Sequence, residues 1–406
     1  MAPPVVFRST IQLGVQCALL FATPVFAQDA VQEVGPDAHR IWATVHTESG
    51  DRHEGFIRWD RNEGSWVDLL DGRKGMSEEA YDIWREAWQA EQPVRTVELL
   101  GYRISWDEVD PDFPLEVQSA IRFGHLAELI PTGSSVADLV LRSGEEVEYS
   151  GQSTDIGRWR ELTVRNGGRE TELVWQDVER IVFGPVPEGT LASSPRLYGT
   201  VEDRRGRTFT GFVSWDLDEI FGDDVLDGED EDGKDWDVKF SDIQSIERTL
   251  RGSRVTLGSG DVLELSGTND VEDGNRGIQI SDPALGMVEV EWDDFEVLDF
   301  QAAKRSPGYS DFTESRRLTG TVVTQSGDEI QGRIRWDADE EWSWEFLDGT
   351  SEGVGFKIEF GQISRIERGE AFGADVTLVD GRSYTLEDSN DVSWDNKGIF
   401  VQVQEP

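Results

Sequence analysis

Apolar and polar residues alternate along short stretches throughout the chain, as in Val238-Lys239-Phe240-Ser241-Asp242-Ile243-Gln244-Ser245-Ile246 and Val288-Glu289-Val290-Glu291-Trp292-Asp293-Asp294-Phe295-Glu296-Val297. A period of two is the pattern of a strand with one buried face. Both stretches read as strand, two linking residues, strand. The same ending recurs at Ile121–Leu129, Leu173–Val182 and Ile358–Ile366. Gly-centred turns, such as Ser326-Gly327-Asp328 and Ser259-Gly260-Asp261, separate the arms of hairpins. One segment departs from this rule. Ser77-Glu78-Glu79-Ala80 opens a helical pattern through Trp88, with Ser77 as N-cap and Tyr81, Trp84, Ala87 and Trp88 on one face.

The strand pattern repeats over long distances. Leu197-Tyr198-Gly199-Thr200-Val201 matches Leu318-Thr319-Gly320-Thr321-Val322 at an offset of 121 residues. That offset also carries Trp215-Asp216 to Trp336-Asp337, Leu226-Asp227-Gly228 to Leu347-Asp348-Gly349, and Asn269-Asp270-Val271 to Asn390-Asp391-Val392. An earlier copy lies 156 residues before the second, with Thr44-Val45, Trp59-Asp60, Glu63 and Leu70-Asp71-Gly72. A fixed long period is the mark of duplicated units. The expected division is a leader at 1–27, a linker at 28–39 and a first copy at 40–183 with a helical insertion at about 73–118. A linker at 184–196, a second copy at 197–300, a linker at 301–317 and a third copy at 318–406 follow.

In the third copy the strands read as Leu318–Thr324, Glu329–Trp336, Trp344–Leu347, Phe356–Phe360 and Ser364–Arg368. Five short strands with a tight turn before the last resemble small β-barrels of the Sm-like or Src-homology type. The resemblance implies an all-β chain of three tandem repeats, each of two small five-stranded barrel-like halves. It rests on strand count and spacing, and a superfold carries no function with it. The third copy is short by about two strands. Either another segment completes its sheet, or an open edge is left for strand pairing with a partner.

Residues 1–27 read as a secretory signal: Arg8, an apolar run from Leu13 to Phe26, and Val25-Phe26-Ala27 ahead of Gln28. The expected location is therefore periplasmic or extracellular. Cys17 is the only cysteine and falls inside the leader, so disulfides and thiolate chemistry are not expected beyond it. The formal net charge is −44, which argues against nucleic acid and against anionic membrane surfaces as partners. Only 6 of the 38 basic residues are Lys, which suits a chain kept soluble by its own negative charge.

Two acidic patterns are candidate sites for a hard cation such as Ca2+, which takes carboxylate and carbonyl oxygens. The first follows the second strand of each copy: Trp59-Asp60-Arg61-Asn62-Glu63, Trp215-Asp216-Leu217-Asp218-Glu219 and Trp336-Asp337-Ala338-Asp339-Glu340. The second offers Asn269, Asp270, Asp273 and Asn275, with Asn390, Asp391, Asp395 and Asn396 at the later offset. The first copy has Thr154-Asp155-Ile156 there and departs from the pattern. Metal-free turns held by Asn and Asp side chains are the favoured explanation of both patterns. The acid run Asp227–Asp237 fails as an EF-hand loop, because Gly228 and Lys239 fall where acids are required. His46 and His53 are expected to be rim residues across a hairpin.

Trp342, Trp344 and Trp394 are the candidates for stacking on an envelope glycan, many of the other tryptophans, such as Trp215, Trp292 and Trp336, sitting at repeated strand positions. No Gly-rich phosphate loop or nucleophile elbow is present. The sequence thus points to a non-enzymatic binding or scaffold module of the cell envelope. A Ca2+-stabilised module and a secreted hydrolase with carboxylates near the insertion Lys74–Gln118 are the alternatives.

Overall fold

The computed structural model describes residues 5–7, 18–21, 37–76, 81–82, 96–99, 102–105, 116–151, 155–303, 307–312, 315–369 and 373–403. The chain is all-β, and the described residues form two ten-stranded sheets, one eight-stranded sheet and two separate hairpins, all paired antiparallel. Alternation is visible in the burial of single strands: in Tyr198–Asp203 every second residue is buried, and Val201 lies in the core. Four of the expected links between strands are single 3-10 turns, Phe123–His125, Trp175–Asp177, Phe240–Asp242 and Phe360–Gln362. Each begins with a buried aromatic residue that anchors the corner in the core.

Pairing follows one order in each copy. In the second, Tyr198–Asp203 lies between Thr208–Trp215 and Phe295–Phe300, which in turn pairs with Ile243–Arg248. In the first, Trp42–Thr47 lies between Arg52–Trp59 and Val178–Phe183, which pairs with Leu126–Pro131. In the third, Thr319–Val323 lies between Glu329–Arg335 and Ala18–Phe21, which pairs with Ile363–Arg368. A strand from the N-terminal segment thus occupies the position where the third copy is short. The rest of the expected leader lies outside the described residues, apart from the strand Val5–Phe7.

Among the described residues no sheet closes into a barrel, which corrects the expectation of closed halves. The first large sheet runs from Arg169–Val174 at one edge to Glu116–Arg122 at the other. The second ends on a hairpin borrowed from the third copy: Val354–Glu359 pairs with Gly286–Val290, and Phe346–Ser351 lies outside it. Backbone groups at a sheet edge need partners, and here a neighbouring copy supplies them in place of closure. The helical insertion falls largely on residues outside the described set, and only Tyr81 and Asp82 are helical there. The same stretch holds a hairpin of Thr96–Leu99 with Tyr102–Ser105.

The junction between the second and third copies depends on one glycine. Gly286 has φ +149°, and a Cβ there would stand 2.0 Å from the Lys357 carbonyl oxygen. Gly286→Ala is expected to lower stability by about 1–3 kcal/mol through backbone displacement. A chemical denaturation curve compared with that of the parent chain checks this.

Buried and half-buried ions tie the copies together. Asp68, Asp224 and Glu345 stand at matching offsets, and each accepts two backbone N–H groups of its own turn. Each also binds a cation from elsewhere: Asp68 meets Arg196 at 3.1 Å, Asp224 meets Arg58 at 2.7 Å, and Glu345 meets Lys74. Arg122 and His125 of the first copy hold Glu359 of the third at 3.1 and 3.2 Å. Apolar packing crosses the same boundaries. Phe212 of the second copy and Trp344 of the third are buried in the core of the first.

Candidate cation sites

The turn after the second strand reverses within five residues. In the second copy the Trp215 amide donates to the Glu219 carbonyl at 2.9 Å, and the Glu219 amide returns to Trp215 at 3.0 Å. Asp216 and Leu217 take φ of +48° and +61°, and Asp337 and Ala338 take +46° and +69°. Left-handed backbone at non-glycine residues costs about 1–2 kcal/mol per residue, so tertiary contacts must hold the turn. The contacts are the same in every copy. The indole N–H of Trp59, Trp215 and Trp336 donates to the carbonyl of Asp155, Asp270 and Asp391 at 3.1, 2.9 and 2.9 Å. The Oδ2 atoms of those three aspartates accept the amides of Asp71, Asp227 and Asp348 at 2.7, 2.8 and 2.7 Å.

The two acidic patterns, read apart in the sequence, therefore meet in space. Asp155 keeps the arrangement in the first copy although its neighbours differ from Asn269-Asp270-Val271. A cationic side chain closes each group: Arg160 on Asp60, Arg276 on Asp216 at 2.8 Å, and Lys397 on Asp337 at 2.9 Å.

The remaining acid is the turn glutamate. The Oε2 atoms of Glu63, Glu219 and Glu340 are all buried and have no hydrogen-bond partner. Glu63 and Glu340 are only 4% and 7% exposed. Burial, with nearby aspartates adding to it, pushes the carboxyls of Glu63 and Glu340 well above the usual range and that of Glu219 up to about 10. Burial likewise raises Asp155 to about 7, Asp270 to about 6, and Asp391 well above its ordinary value. Such groups hold a proton or a metal ion. In the second copy one oxygen each of Asp216, Glu219 and Asp270 lies within 4.8 Å of the others. Oxygens at that spacing fit around one Ca2+, whose ligands sit at about 2.3–2.6 Å.

The other sequence candidates have different places. Asn269 and Asn390 turn their amide groups toward Asp216 and Asp337, as donors. Asn275 and Asn396 use their side-chain oxygens on the amides of Gly277 and Gly398, both at 2.9 Å. Asp273 and Asp395 are exposed. Trp344 is core, only 1% exposed. Trp342 carries the Arg317 guanidinium 4.1 Å from its ring, and Trp394 carries that of Arg368 at 3.5 Å. Asp227–Asp237 forms an outer hairpin in which Asp230 accepts the Trp236 indole N–H at 2.8 Å. His46 and His53 lie on paired strands, His53 opposite Val45 and His46 opposite Arg52.

Sequence reasoning missed the cavity between the first and third copies. Its volume is about 480 Å3, and it joins Asp71 and Asp155 of one copy to Asp339, Glu340, Asp348 and Asp391 of the other. Three of the chain's six lysines, Lys74, Lys357 and Lys397, line it. Lys357 reaches across to Asp71 at 2.7 Å, and Lys74 donates to the Asp339 carbonyl at 2.7 Å as well as to Glu345. Burial raises Asp339 to about 7, and its Oδ1 has no hydrogen-bond partner.

No family model matches the chain, and no curated protein or solved structure is similar to it. Among the described residues, no helix is long and apolar enough to cross a membrane.

Proposed function

We propose that the chain is an exported, non-enzymatic β-repeat module whose second copy holds a hard divalent cation between the Trp-Asp turn and the following aspartate. The observation that carries this reading is the convergence of Asp216, Glu219 and Asp270, in which the buried Oε2 of Glu219 has no hydrogen-bond partner. A divalent ion would supply the positive charge that a single Arg or Lys in each group does not. The copies then form a rigid acidic scaffold, with the cation as an internal cross-link and the remaining acids as solvation. Calorimetry of metal-stripped protein with millimolar Ca2+ tests the reading. Heat of binding and a higher melting temperature are expected, both reduced in Glu219→Gln, with Mg2+ weaker. No heat and no change in melting would overturn it.

A hydrolase remains the second reading, favoured by the cavity beside the insertion, where Asp155 and Asp339 are both raised to about 7. Turnover in a broad glycan and peptide screen, abolished by Asp155→Asn, would replace the first reading.

A further inference from the structure

The strand Ala18–Phe21 is matched to its position residue by residue. In the second copy Val201 faces Leu298 and Gly199 faces Phe300. In the first, Val45 faces Ile181 and Ala43 faces Phe183. In the third, Val322 faces Leu19 and Gly320 faces Phe21. One register position thus takes Ile181, Leu298 and Leu19, and the position two residues on takes Phe183, Phe300 and Phe21. In all three copies the phenylalanine stands opposite Gly or Ala.

The preceding strand follows suit. Ile278 and Ile280 face Val290 and Val288 in the second copy, and Ile399 and Val401 face Phe7 and Val5 in the third. Two successive strands of the N-terminal segment therefore take, in the same order and direction, the two places that Gly286–Val290 and Phe295–Phe300 take in the second copy.

We propose that the third copy is a strand acceptor and that the strands Val5–Phe7 and Ala18–Phe21 are its occupants, so that the chain closes head to tail. Without that segment, Thr319–Val323 and Ile363–Arg368 would each present an unpaired edge. Residues 18–21 also lie in the apolar run of the expected leader, so the two uses exclude one another, and removal of 1–27 on export would leave the third copy open. A chain whose leader is held by an export apparatus has an incomplete third copy, and completing that copy withdraws the leader.

Paired cysteines in the full chain test the register. With Cys17→Ser, the pair Ala18→Cys and Val323→Cys occupies facing positions, whereas Leu20→Cys with Val323→Cys is displaced by two residues. Mild oxidation is expected to cross-link the first pair within one molecule at least ten-fold more completely than the second. Equal yields, or cross-linking only between molecules, would overturn the assignment. Hydrogen exchange supplies an independent reading. Leu19→Glu with Phe21→Glu is expected to speed exchange at least ten-fold in 319–323 and 363–368 and to leave 198–203 unchanged. Unaltered protection in those strands would also overturn it. Neither readout involves a metal, so the outcome is separable from the cation proposal.

Discussion

Asp68→Asn is expected to destabilise the protein by about 3–5 kcal/mol, the usual cost of removing one partner from a buried ion pair. Asn keeps the shape and one acceptor oxygen for the amides of Gly64 and Ser65, so the change isolates the charge. Arg196, 4% exposed, would be left without its carboxylate. Arg40 makes this worse. Burial, together with the positive charge of Arg196, already pushes Arg40 down to about 9. Ser281 of the second copy would also lose its 3.1 Å contact with a charged acceptor. The double variant Asp68→Asn with Arg196→Met should lose less than the single one, because no unpaired charge stays buried. The pH dependence has a definite sign. Burial alone would raise the Asp68 carboxyl, but Arg196 and the turn amides hold it below the usual range. Its contribution is therefore fully present above the unfolded value of about 4 and disappears as pH falls through the lower folded value. Denaturant melts of parent and variant should differ most near neutrality and converge in acid.

The acid clusters behave in the opposite way, and their effect is the second large one. Asp155 and Asp339 are raised to about 7, and Asp270 and Asp348 to about 6, in each case first by burial. A carboxyl raised in the folded state stabilises fully below its unfolded value of about 4, and that contribution is lost as pH rises through the folded value. Metal-stripped protein should therefore lose stability between about pH 4 and pH 7, by up to about 1.4 kcal/mol per pH unit for each extra proton held. Ca2+ at a hundred times its dissociation constant should return about 2.7 kcal/mol per site and release protons near neutrality. Thermal melts across pH with and without Ca2+, and calorimetry in two buffers of different ionisation heat, measure both effects. A flat pH profile in metal-stripped protein would remove the basis of the prediction.

Much of this architecture was legible in the alternation of apolar residues and in the offsets of 121 and 156. Those offsets aligned Trp59, Trp215 and Trp336 before any coordinate did, and all three indoles make the same bond. They also aligned Asp68, Asp224 and Glu345, although no motif marked those residues as ties between copies. What stayed hidden was contact between elements far apart in the chain. Nothing local to Asp216 indicates Asp270, and nothing local to Lys74 indicates Glu345, because period and spacing describe one element at a time. The Asn side chains misled for a related reason. Asn269 and Asn275 have an acceptor and a donor at the same reach, and the fold uses the donor of one and the acceptor of the other. Closure into barrels failed on partner choice, since an edge strand finds a neighbour's hairpin as readily as its own far side.

The hairpin of Phe346–Ser351 and Val354–Glu359 belongs to the third copy by sequence offset and to the second copy's sheet by position. Removing the third copy would therefore damage the second. A gene that dropped residues 318–406 in frame would strip two strands from the sheet it kept and expose the Gly286–Val290 edge. Recombination between copies would meet the same barrier, since a viable crossover must exchange the hairpin together with the strand that receives it.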